Sequence, residues 1–595
     1  MSRVRRLVHH LAAIVLLAAL PACSLIPTSG PVEQSTPSPA GAGVGPRVDI
    51  QPASPPPNGS PDQIAAGFLS AVSSNNAGRF AVARQYLTPQ AAGQWKPADS
   101  VTIYASSGDG PIVVQDTAVT LQIPVVGNLD SAGRYTAGNQ PRFSHDFRMT
   151  RGVDGQWRID DPGVGIFISQ ATFQRSYRTV PLYFFDYSMQ RLVTDTLYMN
   201  WADATPTAAV QALLNGPSTW LSTAVGTVAP PQTKLVLPSV PVVAGIASVS
   251  LNEPVLGLSD TQRVQLAAQL LWTLQAFSVT GLRVDVDGSP LKISGQDEDG
   301  VIHAEAVSSY EPMTSAASQD VFGLMQDGSV VKVSMSPGDM PKPVPGPLGL
   351  PGLGATQLAV AADGTTVALT SPQPPEGGPA VLWVGSAING LAPRQLLQGA
   401  DFTRPQVTTQ GTWVIDRKTD PAVPQLYLVD AGGVAQHVPL PDLGGDSVVA
   451  FRVGPDKTRL VVVAMSGSQP LVGMMRISSV APLTVDGWQP LVVNTDRGAL
   501  KSVLDVGWLS ATQVALLATT VQNDSSSVFH MDVDAAFVTS MGPLSGEMPV
   551  SMAVQPRASG TTALAVTATG AVRHYEDTTR WTVLAAGLTS VALPG

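Results

Sequence analysis

A multidomain chain, α+β through its first half and all-β through its second, is what this sequence predicts. Three observations carry that prediction. Only 13% of the residues are charged while glycine and proline number 55 and 51, the composition of a β-rich chain with frequent turns. Between residues 62 and 308, two segments place apolar stripes at helical spacing beside alternating β-runs. Beyond residue 308, turn-forming positions recur at intervals of roughly 45 to 55 residues, the periodicity of propeller blades.

The 595 residues suffice for about three or four domains, each with its own core. A net charge of −10 argues against nucleic acid as a partner, since phosphate backbones are bound by dense Lys and Arg. After the first twenty residues no apolar run approaches the length of a membrane span.

At the amino end, Arg3, Arg5 and Arg6 precede an apolar run from Leu11 to Leu20, the charged and apolar regions of a secretory signal. That run is too short to span a bilayer as a finished helix. It ends in Leu20-Pro21-Ala22-Cys23, and Cys23 is the only cysteine in the chain. The stretch resembles the lipobox of bacterial lipoproteins, which implies cleavage of a signal peptide over 1–22 and an N-palmitoyl, S-diacylglycerol cysteine at Cys23. The plainer alternative is a free thiol in an ordinary signal peptide. Two or three acyl chains, at roughly 0.8 kcal/mol per buried CH₂, hold a protein almost permanently, so the expected location is the extracytoplasmic face of the cell membrane. With no second cysteine, each domain must rely on its own core.

Residues 23–61 are rich in Pro, Ser and Gly and read as a tether, which at about 3.1 Å per residue reaches on the order of 100 Å. Ser60-Pro61-Asp62 opens a helix carrying Ile64, Ala65, Phe68, Leu69 and Val72; a second helical stretch, Phe80 to Leu87, continues towards Trp95. β-runs follow at 101–104, 112–114, 118–123 and from Phe147, with a hairpin turn at 152–155. Two helices followed by a curled antiparallel sheet make residues 62–180 an N-terminal α+β domain that resembles the NTF2-like fold. Such folds often hold a pocket; Trp157 and Phe167 read as core in preference to ligand contacts.

The segment 181–308 opens with the strand 181–185 and the pair Leu192-Val193. A helix from Thr207 to Leu214 ends at Asn215-Gly216-Pro217, since Gly terminates a helix and Pro prevents its resumption. Strands are expected around 234–237 and 246–251, then an amphipathic helix from Thr261 to Phe277 and a strand and turn over 282–288. Leu182-Tyr183-Phe184, Leu213-Leu214-Asn215-Gly216-Pro217, the run 247–251, Gln269 to Leu274 and Val284-Asp285-Val286-Asp287-Gly288 resemble the GerMN domain of spore-germination and envelope proteins. With the lipobox and Ile26-Pro27-Thr28-Ser29-Gly30-Pro31 ahead of it, the order resembles the actinobacterial LpqB lipoprotein family. That resemblance implies a lipid-anchored partner of the MtrB sensor histidine kinase ectodomain, modulating the MtrAB two-component system in cell-wall homeostasis and division.

Over 309–595, the anchors Gly364, Gly411, Asp456, Ala511 and Gly560 are each followed at once by a β-run, and most by a second some fifteen to twenty residues on. One such repeat is a small sheet with exposed faces, so stacking into a ring buries it. The runs 321–324 and 330–333 lack an early partner, and the tail 590–593 is expected to complete their blade. A β-propeller of five to seven blades results.

Chemistry-bearing patterns are sparse. His145, His303, His437, His530 and His574 are scattered, and no His-Glu-x-x-His or Cys-x-x-Cys occurs, so neither metal nor cofactor is expected. Two Ser-x-x-Lys matches, Ser289 to Lys292 and Ser329 to Lys332, fall on a turn and a strand, not at a helix start where serine and lysine would meet. Asp297-Glu298-Asp299 near Asp285 and Asp287 reads as a solvated edge, with weak Ca²⁺ binding as the alternative; Asp160-Asp161-Pro162 reads as a turn. No catalytic residue is assigned. The expected function is therefore that of a non-enzymatic, lipid-anchored interaction protein. A peptidoglycan-binding or cell-wall-modifying envelope protein, with cell-wall glycan as its partner, is the alternative, and the repeated β pattern disfavours a solute-binding lipoprotein.

Overall fold

The computed structural model describes residues 52–595, except 75–77, 106–110, 116–117, 139–141, 314–317, 319, 337, 376, 419–422, 444, 479–481, 496, 545–546, 559 and 578–579. The signal segment, Cys23 and nearly all of the tether lie outside the described residues.

Helix α1, Pro61–Val72, starts where the Gln63 side chain accepts the Ser60 backbone N–H at 3.1 Å, and it buries Ile64, Ala65, Phe68, Leu69 and Val72. The second helical stretch divides into α2, Arg79–Arg84, and α3, Pro89–Gln94. Proline is tolerated only in the first turn of a helix, and Thr88 caps the new start by accepting from Ala91 N–H at 3.2 Å. Trp95 packs against Phe68 and Phe80, with ring centroids 5.3 and 5.9 Å away.

The sheet of this domain is not one antiparallel curl. Val101–Tyr104 pairs antiparallel with Val125–Leu129 and parallel with Ile166–Ser169, while Ile112–Gln115, Ala118–Ile123 and Phe143–Asp146 form a second sheet. The parallel pairing has a physical reason in Ile166-Phe167-Ile168: all three are buried, the continuous apolar run of a strand covered on both faces.

After α4, Gln170–Ser176, the chain enters a long hairpin, Tyr177–Asp186 with Leu192–Asn200. Helix α5, Pro206–Leu214, is capped by Thr205 and stops at Asn215, and Gly216 takes φ +90°. Ile246–Leu251 and Gly281–Val286 are parallel and joined across α6, Asp260–Leu274, as parallel strands require a crossover. The expected strand at 234–237 is reduced to a single bridge, Leu235 to Leu251, because Pro231 before it and Pro238 after it cannot donate to a ladder. Gln269 of α6 is fully buried: its amide donates to Tyr183 O at 2.7 Å and accepts from Val228 N at 2.9 Å, fixing the helix to its surroundings.

Six blades follow among the described residues, each built on four antiparallel strands that are successive in the chain for blades 2 to 6, with a fifth, Asn494–Thr495, in the sheet of blade 5. Their innermost strands are Leu588–Ala592, Gln357–Val360, Gln406–Thr408, Ser447–Val453, Gly498–Trp508 and Pro549–Gln555, for blades 1 to 6. Gly364, Asp456, Ala511 and Gly560 lie in the turn between the first and second strand of their blades, and Gly411 opens the second strand of blade 3. The last strand, Leu588–Ala592, pairs antiparallel with Val321–Met325 and completes blade 1, so the ring is closed by sheet hydrogen bonds between the domain's two ends.

Candidate functional site

Blades 4 and 5 carry the joint to the other domains. The adjacent strand Leu192–Asn200 presents Thr194 and Tyr198 to the propeller. Arg459, buried in blade 4, donates through Nε to Asp456 Oδ2 at 2.8 Å and through Nη2 to Thr194 Oγ1 at 3.0 Å and Ala511 O at 2.6 Å. Trp220 Nε1 donates to Gly487 O at 2.7 Å, and Arg476 Nη1 returns a bond to Trp220 O at 2.6 Å. Phe537, in a turn of blade 5, stacks on Phe173 of α4 at 4.9 Å.

Beside Phe537, the Tyr198 hydroxyl lies 2.9 Å from Asp532 Oδ2 and 2.8 Å from Asp534 Oδ1. Burial raises both carboxyls, and the neighbouring Asp532 charge adds to the effect on Asp534. Burial also holds the Tyr198 phenol well above its ordinary range. The Tyr198 hydroxyl bridges the two carboxyls, and a proton on either carboxyl can be donated back to the phenol oxygen. The cluster is a buried polar joint between the propeller and the hairpin.

The central channel is crossed by side chains. Arg404 Nη1 bonds Asp505 Oδ2 at 3.1 Å and Met552 O at 2.6 Å, Nε bonds Leu358 O at 3.1 Å, and Nη2 bonds Val591 O. One guanidinium thus touches blades 2, 5, 6 and 1. Arg452 Nη2 reaches Asp505 Oδ1 at 3.3 Å. Burial, with Arg404 nearby, pulls Arg452 down to about 10 against the favourable charge of Asp505.

On the end of the ring that bears the first turns, a cleft of about 740 Å³ opens across blades 2, 3 and 4, a size suited to a ligand or a short peptide. Val384, Val407, Val429 and Val453 line it with Thr408, Thr409 and Gln410, and Met313 of the interdomain segment closes one side. Lys457 stands at the lip, at φ +59° in the same turn as Asp456. Burial pulls its ammonium down to about 8; Arg191 of the hairpin adds repulsion and Asp186 partly offsets it.

The sequence-flagged residues fall elsewhere. Phe167 is core, and Trp157 lies under the Arg151 guanidinium at 4.8 Å. Ser289 starts a two-residue strand, Ser329 donates to Asp327 Oδ1 at 2.6 Å, and Lys332 pairs with Asp320 at 2.8 Å, so neither Ser-x-x-Lys forms a dyad. Asp297 accepts from Asp299 N and Val301 N and meets His303 at 3.2 Å, which makes it a turn. Asp285 accepts from Ser250 Oγ and Gly288 N. Asp160 accepts from Thr88 Oγ1, and Asp161 pairs with Arg148 at 2.7 Å. Among the described residues no three His, Cys, Asp or Glu side chains gather as a metal site. The joint, the channel clamp and the cleft were not anticipated; the available signal was lone charges, Arg452 and Asp505, inside apolar strand runs.

Comparison with known proteins accords with this architecture. Residues 54–174 match the family described as lipoprotein LpqB, N-terminal domain; 181–292 match "sporulation and spore germination"; 328–594 match the lipoprotein LpqB beta-propeller domain. Lipoprotein LpqB of Cutibacterium acnes is 30% identical over 601 residues, covering 99% of each chain. Lipoprotein LpqB of Thermobifida fusca is 27% identical, covering 87% of this chain and 88% of its own. Among solved structures, TolB from Acinetobacter baumannii aligns with 12% identity and a TM-score of 0.33 over 57% of this chain and 87% of its own. The full-length similarity and the three successive domain matches establish that the chain belongs to the lipoprotein LpqB family.

Proposed function

We propose that this protein is a non-enzymatic adaptor, lipid-anchored through Cys23 on the extracytoplasmic face of the cell membrane. It binds and modulates the ectodomain of a sensor histidine kinase, the MtrB component of MtrAB, in cell-wall homeostasis and division. The observation that carries the reading is the joint: Arg459, Thr194, Tyr198 and Trp220 tie the propeller to the preceding domains through buried or half-buried bonds. A partner held on the ring is therefore held in a fixed relation to the domains nearer the tether. The lipobox and the family's lipoprotein name support the anchor.

The test reconstitutes the full-length lipoprotein and the purified kinase in one nanodisc preparation. Saturable association and an altered autophosphorylation rate are expected, with Cys23→Ala failing to enter the disc. Absence of association at micromolar protein, with both components folded, would reject the reading.

A further inference from the structure

The cleft across blades 2 to 4 has an uneven supply of unused polar groups. Asp363 and Asp430, its two carboxylate side chains, accept from backbone N–H groups of their own turns, Thr365 at 2.9 Å and Val434 at 2.8 Å. Lys457 is in a different position. Its ammonium donates to the Thr409 hydroxyl, and among the described residues no carboxylate comes within 4 Å of it. Arg394, on the opposite wall, bonds only the carbonyls of Ala431 and Gly432 and likewise has no carboxylate partner among the described residues. The Gln410 carbonyl oxygen is buried without a hydrogen-bond donor. A buried acceptor in that state favours any ligand that brings an N–H.

We propose that this cleft docks a short, mainly apolar peptide segment of the protein partner that places a carboxylate against Lys457. The proposal rests on the adaptor reading and adds the surface and its chemistry. Leu396, Val384 and the buried Val407, Val429 and Val453 give the cleft an apolar wall, with Met313 beside them, and suit aliphatic side chains. A peptide backbone supplies the N–H that Gln410 lacks, and the carboxylate gives Lys457 and Arg394 a direct ion-pair partner, beyond the longer-range charge of Asp186 on Lys457. No Phe, Tyr or Trp lines the cleft among the described residues, so it offers no aromatic face for a sugar ring. Lys457 adjoins Asp456, which is bonded to Arg459 and so to Thr194. Occupancy of the cleft thereby bears on the turn that also holds the interdomain joint.

The experiment uses the full-length protein in nanodiscs and an array of aliphatic pentapeptides. Each peptide carries one glutamate and is paired with its glutamine counterpart. Binding is read by fluorescence anisotropy. For the best register, the glutamate peptide is expected to bind about tenfold more tightly than its glutamine twin. Lys457→Gln removes the difference, Lys457→Arg keeps it, and Ala431→Trp, at an exposed rim position, blocks both peptides. Thermal unfolding of each variant shows that it is folded. Equal binding of the two series at every register, or a glutamate preference that survives Lys457→Gln, overturns the proposal. Kinase association measured on the same variants separates the two readings. Undiminished association with Lys457→Gln and Ala431→Trp rejects the cleft and leaves the adaptor standing. Glutamate discrimination by a protein that never binds the kinase does the reverse.

Discussion

At the scale of single residues, charge placement inside strands governs the interior of the ring. Asp505 holds Arg404 and Arg452 across the channel, and all three side chains are largely shielded from water. Asp505→Ala leaves two buried guanidinium groups without a counter-charge and is expected to cost about 3–5 kcal/mol, read as a lowered denaturant midpoint. The carboxyl pair at the joint gives a pH dependence whose sign follows from proton binding. Both groups are raised in the folded state, so the native protein binds a proton more tightly than the unfolded chain. Their contribution is complete below the ordinary carboxylate range and is lost as pH climbs towards neutrality and beyond. The protection factors of amides around Phe537, with the intrinsic pH dependence of exchange divided out, should be higher at pH 5 than at pH 8, and Asp534→Asn should flatten that difference; an unchanged pH dependence in the variant would exclude the pair as its source. These residues were poorly legible in the sequence. Asp532 ends an apolar β-run, Val528 to Met531, yet nothing local shows that Tyr198, more than three hundred positions earlier, faces it.

At the scale of elements, the helices and the inner turns of the blades were readable because their signals are local. Ser259 and Gln262 mark the start of α6 by reciprocal capping, and Asp287 and Gly288, both at positive φ, form the turn read at the end of its sheet. Less legible were the first and fourth strands of the blades, such as Gln406–Thr408 and Ala435–Val438. The former is three residues long and the latter largely exposed, so neither carries a strong apolar alternation. The split sheet of the N-terminal domain escaped for another reason: parallel pairing of 101–104 with 166–169 depends on a contact across more than sixty residues. The closing strand of the ring makes a testable case. Leu588 is fully buried and lies where a Cβ on Gly323 would come within 2.7 Å of its side chain. Leu588→Ala is expected to cost about 2–5 kcal/mol and to raise protease sensitivity at both ends of the propeller together. Cleavage confined to the last strand, with blade 1 otherwise protected, would contradict closure of the ring by this pairing.

At the scale of the whole molecule, the three domains are coupled through the joint, and this changes how partner binding should be mapped. Ending the chain near Ser308 would strip the propeller from Tyr198 and Trp220, leaving both without their partners, so full-length variants are the sound comparison. The proposed adaptor role is tested by crosslinking in native membranes followed by affinity recovery of the wild-type protein and of Cys23→Ala. Recovery of a sensor histidine kinase is expected with the wild type, reduced with Cys23→Ala, with crosslinks on the cleft-bearing end of blades 2 to 4. Recovery of cell-wall material alone, with no kinase from the anchored protein, would contradict that role.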